Sequence, residues 1–318
     1  MPSQTVGNVH INVPLSNLAR LYRPDLNGFI ADEVCPYIDV NFESNVFYRF
    51  TQGPFFATDV DDLVGDREEP REVEYDHDTD SYVCQRRELA WSISDRERNN
   101  ADSQLNLERN KQLGTLGRLL MKREVRVAAL LRKTTNGGGL TSGANAAADW
   151  GTAGTTTIES DIITGIEAIR QTIGIKPNTM VVPAHVALKM TQNAQIRDWL
   201  KYAVFQAGVN PLSDDYPLLP SVFFGMRVLT PGQINNTAVE GQAESYSDVW
   251  ANHVRLLWVT PGPALENPSI AYTFRSEALV TRMERIGKPR VDWFAVGQTI
   301  VEKVVAPLAG YEIASAAA

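Results

Sequence analysis

The amino-acid sequence predicts an α+β protein in which one long amphipathic helix separates a strand-rich N-terminal part from a mixed helix/strand C-terminal part. Three observations predict it. Leu113, Leu116, Leu120, Val127 and Leu131 recur in three- and four-residue steps, the spacing that lines one face of a helix. Runs rich in β-branched and aromatic residues, Val46–Phe50 and Tyr82–Trp91, bracket a polar excursion as two strands of one hairpin would. Beyond position 157, helical and strand patterns alternate between glycine and proline breaks.

The 318 residues, 43% hydrophobic and 21% charged, suffice for one large core or two modest ones. No apolar run approaches the roughly 20 residues of a membrane-spanning helix. The stretch Met1–Thr5 lacks the basic and apolar regions of a secretory signal, so the expected setting is a reducing cytoplasm. Cys35 and Cys84, the only cysteines, stand apart from each other and from any metal-site spacing, and are read as small buried hydrophobes.

The net charge of −8 is unevenly placed. Between Asp59 and Asp80 stand eleven acids (Asp59, Asp61, Asp62, Asp66, Glu68, Glu69, Glu72, Glu74, Asp76, Asp78, Asp80) against Arg67 and Arg71. Nearly all the acidity of the chain lies in that arm, which is too charged to be core and is read as the far end of the hairpin. A disordered acidic loop is the plainer reading, since like charges at this density resist collapse. From Gln104 to Lys133 the balance reverses. There Arg109, Lys111, Arg118, Lys122, Arg123, Arg126, Arg132 and Lys133 face only Glu108 and Glu124, a solvated helix face or a surface for something acidic.

That helix is expected from a cap at Asp102 or Ser103 to about Lys133. Asn136–Gly139 and the small residues to Thr157 read as a flexible connection. A second helix, Ile158–Ile173, stops at Gly174; a strand follows at Thr179–Val182, then a helix opened by Pro183 and holding Val186, Leu188, Met190, Ile196, Trp199 and Leu200. Strands are expected between Val222 and Trp258, at Ile270–Phe274, at Leu279–Met283 and at Ile300–Pro307, after which the alanine-rich end frays.

Catalytic signatures are missing. There is no Gly-x-Ser-x-Gly elbow, and Gly137–Gly143 lacks the Gly-Lys-Ser/Thr ending of a phosphate-binding loop. His10, His77, His185 and His253 are scattered. Asp76–Asp80 begins like a calcium loop, but Ser81 stands where its glycine belongs and Arg87 where its closing glutamate belongs. No catalytic residue, cofactor or metal is predicted. Paired carboxylates are a spatial matter that sequence leaves open, so an oligomeric enzyme with a site in the acidic segment stays as a distant alternative.

Taken in order, four stretches carry a family likeness: Phe29–Val40 in the arm, Arg123–Leu131 in the long helix, Asn178–Leu188 at a strand-to-helix step, and Phe224–Leu229 in a later strand. Together they make the chain similar to the major capsid proteins of tailed bacteriophages, with the Hong Kong 97-like fold. The resemblance implies an N-terminal arm (1–50), an extended hairpin loop (51–92), a peripheral domain with a spine helix (93–156 and 263–294) and an axial domain (157–262 and 295–318). It implies a non-enzymatic shell subunit that assembles, in the host cytoplasm, into hexamers and pentamers of an icosahedral virion head around double-stranded DNA. Portal and scaffold proteins, and decoration proteins in some shells, would be its partners; no membrane is involved.

By the same resemblance the loop residues Asp59, Asp61, Asp62, Asp66, Arg67, Glu68, Glu69 and Arg71 contact a neighbouring subunit, and Arg118, Lys122 and Arg126 offer a basic partner or an interior surface. Some such shells are locked by a lysine on this loop. Here no lysine precedes Lys111, so a non-covalent shell is expected. A long cleaved scaffolding segment is not expected either. An encapsulin-type compartment, a shell of the same fold around cargo enzymes, is the nearest alternative.

Overall fold

The computed structural model describes residues 10–11, 29–49, 58, 62–64, 69, 71–72, 78–100, 107–134, 138–152, 154, 157–198, 219–239, 241–262 and 269–317. In chain order, β1 (His10–Ile11), α1 (Ala31–Val34), β2 (Tyr37–Asp39), β3 (Ser44–Arg49), β4 (Asp78–Val83) and β5 (Gln85–Ser94) lead to α2 (Asp95–Asn100) and the long α3 (Leu107–Leu130). Next come β6 (Ser142–Asn145), α4 (Ile158–Ile173), β7 (Thr179–Val181), α5 (Ala184–Met190), β8 (Val222–Phe223) and β9 (Met226–Leu229). The chain closes with β10 (Ile234–Asn236), β11 (Tyr246–Asp248), β12 (Val254–Leu257), β13 (Ala271–Ile286), β14 (Val291–Val304) and β15 (Gly310–Ala314).

Two sheets organise these elements. In the first, β13, β14 and β5 run antiparallel, and the outer edge of β13 is covered at one end by β1 and at the other by the parallel β2. The second has the order β6-β15-β12-β7-β9-β8 and carries most of the core, with α4 and α5 packed against it. Gly165 of α4 lets the helix sit close: a Cβ there would lie 2.6 Å from Leu256 Cδ1 and 2.9 Å from Tyr311 Cδ1. Gly174 ends α4 in the left-handed region (φ 72°), its N–H donating to the Arg170 carbonyl, as the apolar spacing and glycine stop predict.

Several expectations are corrected. Tyr82–Trp91 is not one strand: it breaks at Cys84, so β4 belongs to the hairpin while β5 joins the first sheet, paired to β14. Between Val222 and Leu229 the expected glycine break is a turn at Phe224 and Gly225, both at positive φ (51° and 77°), so the strand expected at Phe224–Leu229 starts only at Met226. The two strands expected at Ile270–Phe274 and Leu279–Met283 are the single β13, irregular between Arg275 and Val280, where its ladder to β14 shifts register twice. The connection after Asn136 is more structured than predicted, because Ser142–Asn145 pairs parallel to β15 and Trp150 is fully buried, its Nε1 donating to Asp161. The C-terminal end does not fray: β15 is a central strand, and Ala316 and Ala317 are buried behind it. Finally, α3 stops at Leu130, before Lys133, and α5 at Met190. Asp102, Ser103, Trp199 and Leu200 lie outside the described residues.

Both cysteines are buried and unpaired, as expected. Burial pushes the Cys35 thiol up to about 12, which leaves it inert.

Candidate assembly surfaces

The first sheet is flanked differently on its two faces. Side chains alternate along a strand, so Val296 and Val301 of β14 point to opposite sides. Val296 meets Leu116 of α3, whereas Val301 packs with Tyr82, Phe274 and Phe47 at the base of the β3–β4 hairpin. The hairpin therefore leaves the body on the side of the sheet opposite the long helix.

Its ladder runs from Ser44 opposite Val83 to Arg49 opposite Asp78. One face is tied down: the Tyr82 ring stacks on Phe274 at 4.5 Å, Phe47 lies 5.3 Å from the same ring, and Asp80 sits 3.9 Å from Lys303. The other face carries Ser44, Val46 and Tyr48 beside Val83, Ser81 and Thr79. It holds no charge. Val46, Tyr48 and Val83 are 59%, 61% and 56% exposed, and Phe42 at the base is 66% exposed. A two-stranded ribbon is at best marginally stable alone. This one keeps its apolar face in water.

Of the acidic loop residues singled out above, Asp62, Glu69 and Arg71 are exposed, alongside Leu63 at 80%. Asp59, Asp61, Asp66, Arg67 and Glu68 lie outside the described residues. On the long helix Arg118 and Lys122 are exposed and one turn apart, but Arg126 is already engaged, its guanidinium bidentate to Glu302 at 2.7 and 3.2 Å. Lys111 pairs with Glu97 at 2.5 Å. The cationic helix face is thus narrower than eight bases against two acids implies.

Two charges counted toward that face are core residues. Arg123 and Glu124 are 2% and 0% exposed. Arg123 pairs with Asp32, donates to the Cys35 carbonyl and Thr273 Oγ1, and lies 4.2 Å over the Tyr37 ring. Burial pulls its guanidinium down to about 10. Glu124 accepts from the Ile30 and Ala31 amides at 3.2 and 3.0 Å and from Trp250 Nε1 at 2.7 Å. One carboxylate thereby caps the start of α1 in the arm and anchors the loop before β12; burial raises its pKa. A sequence signal for this socket existed: positions 123 and 124 fall between Leu120 and Val127 on the same helical stripe.

Among the described residues no group of His, Cys, Asp and Glu could hold a metal, and no helix is long and apolar enough to cross a membrane.

No protein-family model matches the chain, and no curated protein does. Solved structures do. A phage-related protein from Bordetella bronchiseptica RB50 superposes with a TM-score of 0.70 at 18% identity, over 96% of this chain and 97% of that one. The mature capsid of bacteriophage PhiM1 gives 0.58 at 12% identity, over 92% and 87%. A virus-like particle from Pyrococcus furiosus gives 0.52 at 11% identity, over 94% and 95%. At such identities the likeness is one of fold, and it runs nearly end to end.

Proposed function

We propose that this chain, which has the Hong Kong 97-like capsid fold of tailed phages, is the major capsid subunit of a tailed double-stranded-DNA bacteriophage, assembling through hexamers and pentamers into an icosahedral head. The observation that carries the reading is the hairpin. It leaves the body with its uncharged face exposed, and a second copy of the chain is the natural cover, because contacts that exist only in the assembled state stabilise the shell and not the lone subunit.

Within this reading the arm (1–50), the extended loop (51–92), the peripheral part (93–156, 263–294) and the axial part (157–262, 295–318) keep their proposed roles, with β14 a strand common to the last two. Val46, Tyr48 and Val83 supply adhesion. The acidic residues from Asp59 to Arg71 supply register against a basic surface, for which Arg118 and Lys122 are the better candidates and Arg126 the poorer, being held by Glu302. The same two cations are equally placed to meet packaged DNA non-specifically. Because no lysine precedes Lys111, the loop has no amine to give and the shell is held without lysine cross-links. Portal and scaffold proteins, and decoration proteins where present, complete a virion built in the host cytoplasm.

An encapsulin-type compartment, a shell of the same fold around cargo enzymes, is the second reading, since the fold likeness extends beyond phage capsids to a virus-like particle from Pyrococcus furiosus. Electron microscopy and sedimentation of the expressed chain test both. Closed shells are expected from wild type, and unassembled but folded subunits from Val46→Asp combined with Val83→Asp. A small soluble oligomer from wild type overturns the shell reading; shells that hold a protein cargo instead of DNA transfer it to the compartment.

A further inference from the structure

The joint between the end of the spine helix α3 and the second sheet is built from charged side chains around one histidine. Arg255 of β12 is buried and donates to the Ala128 and Leu131 carbonyls at 3.2 and 2.9 Å, satisfying the helix C-terminus. Just past the helix, the Lys133 amide donates to Glu312 Oε2 of β15 at 2.6 Å, while the Lys133 ammonium turns away to the Gly143 carbonyl at 2.5 Å. His253, immediately before β12, stands between the two elements. Arg132 Nη2 lies 3.1 Å from its Nε2, and Glu312 Oε1 lies 3.2 Å from its Nδ1.

This geometry fixes the tautomer. A guanidinium only donates, so Nε2 must be the bare nitrogen and the proton sits on Nδ1, toward Glu312. Nδ1 and Oε1 are near each other but poorly aligned, and both are buried without another hydrogen-bond partner, as is Arg255 Nη1. Among the described residues the charged groups facing the ring are Arg132 from the helix end, Arg255 from β12 and Glu312 from β15. With a neutral ring the cluster holds two guanidinium groups against one carboxylate. A proton on Nε2 would remove the acceptor Arg132 uses and place a third cation beside the single acid.

We propose that His253 is an acid-sensitive release for the end of the spine helix: protonating its imidazole takes the acceptor from Arg132, leaving that guanidinium its 3.9 Å ion pair with Glu312 alone, and loosens the joint between α3 and strands β12 and β15. The direction of the titration agrees. Burial lowers the His253 pKa below its ordinary value; Glu312 pulls it back up, while Arg132 and Arg255 lower it further. A base whose folded pKa is depressed takes up its proton more readily when the joint is open. The joint is therefore intact above the ordinary histidine value, about 6.5, and weakens as pH falls below it toward the folded value. None of this requires that the chain build shells, because every group belongs to one subunit.

The test is made on the full chain. Long-range proton–nitrogen NMR of histidine-labelled protein reports the tautomer and midpoint of His253, assigned by its loss in His253→Gln. Amide exchange of residues 128–134 is followed against pH as a ratio to the same peptides in that variant, whose side chain keeps a donor and an acceptor but cannot titrate. Expected are an unprotonated Nε2 at neutral pH and a midpoint below about 6.5, with an exchange ratio that rises up to about tenfold per pH unit between the two values. A proton on Nε2 at neutral pH, a midpoint at or above that value, or protection indifferent to the titration overturns the proposal. Should His253→Gln not fold, the tautomer and midpoint still decide, with the resonances assigned by elimination from His10→Gln, His77→Gln and His185→Gln.

Discussion

The two halves of the spine helix are made of similar residues and do opposite things. From Arg123 to Leu130 the helix is a pin: Arg123, Glu124, Val127 and Ala128 are buried, and the two charges hold the arm, the loop at Trp250 and Thr273 of β13 in one socket. From Leu107 to Lys122 it is a cover. Gln112, Leu116 and Leu119 are its buried residues, Gly114 and Gly117 have no atom beyond their chain neighbours and the helix's own backbone within 4 Å of where a Cβ would stand, and Arg118 and Lys122 face outward. The same residue type, a helical cation, is thus structural core at 123 and surface at 118. What decides is the turn of the helix on which it falls and whether a carbonyl, carboxylate or ring waits there. Composition cannot tell the two apart.

The largest effect is expected from breaking the pin. Glu124→Ala removes a buried carboxylate and strands three donors, the Ile30 and Ala31 amides and the Trp250 indole. A buried, hydrogen-bonded charge lost from one side of its network costs about 3–5 kcal/mol. Denaturant unfolding of the unassembled subunit, with exchange of residues 29–40 as a local probe, should show the arm undocking first. Glu124→Gln, which keeps an acceptor oxygen, should lose clearly less. Equal losses for the two variants would mean that the socket works by packing alone.

A smaller effect of opposite sign is expected in the cover. Glycine inside a helix costs about 0.5–1 kcal/mol relative to alanine, and neither Gly114 nor Gly117 meets an obstacle to a methyl group. Gly114→Ala and Gly117→Ala should each stabilise the subunit by about that amount in the same unfolding experiment. Gly165→Ala is the internal control. Its Cβ would collide with Leu256 and Tyr311, so it should destabilise. A loss of stability at 114 or 117 would show that the outer half is packed after all.

What the sequence made legible follows the same division between local and distant causes. The α4 helix with its stop at Gly174 and the burial of the two cysteines were readable because each depends on a few neighbouring residues. So was the order of arm, hairpin, helix and mixed sheet, which a resemblance spanning the chain could carry. Partnership across the chain was not readable. β5 leaves the hairpin at Cys84 because β14, some two hundred residues on, offers a ten-residue ladder from Val291 to Ile300. β15 is a strand and not a frayed end because β12 and β6 flank it. The acids of the hairpin are plain in its composition, but the uncharged face of Val46, Tyr48 and Val83 emerges only once register places those residues on one side.

The subtlest way to sharpen the contrast is to change the cover without touching the fold. Arg118 and Lys122 stand four residues apart on an exposed helix face, where like charges repel by a few tenths of a kcal/mol. Arg118→Glu combined with Lys122→Glu should therefore leave the stability of the lone subunit within about 0.5 kcal/mol of wild type. If these cations serve a neighbour's acidic loop, shells should fail to form or form only at raised ionic strength, where screening blunts the new repulsion. If they meet packaged DNA, empty shells should assemble normally and the defect should lie in DNA content alone. Wild-type assembly and wild-type DNA content together would remove the cations from both roles and leave adhesion to the uncharged face of the hairpin. Reversing the single charge at Arg123 has no such subtlety to offer, because there the cation is already engaged inside the subunit by Asp32, the Cys35 carbonyl and Thr273.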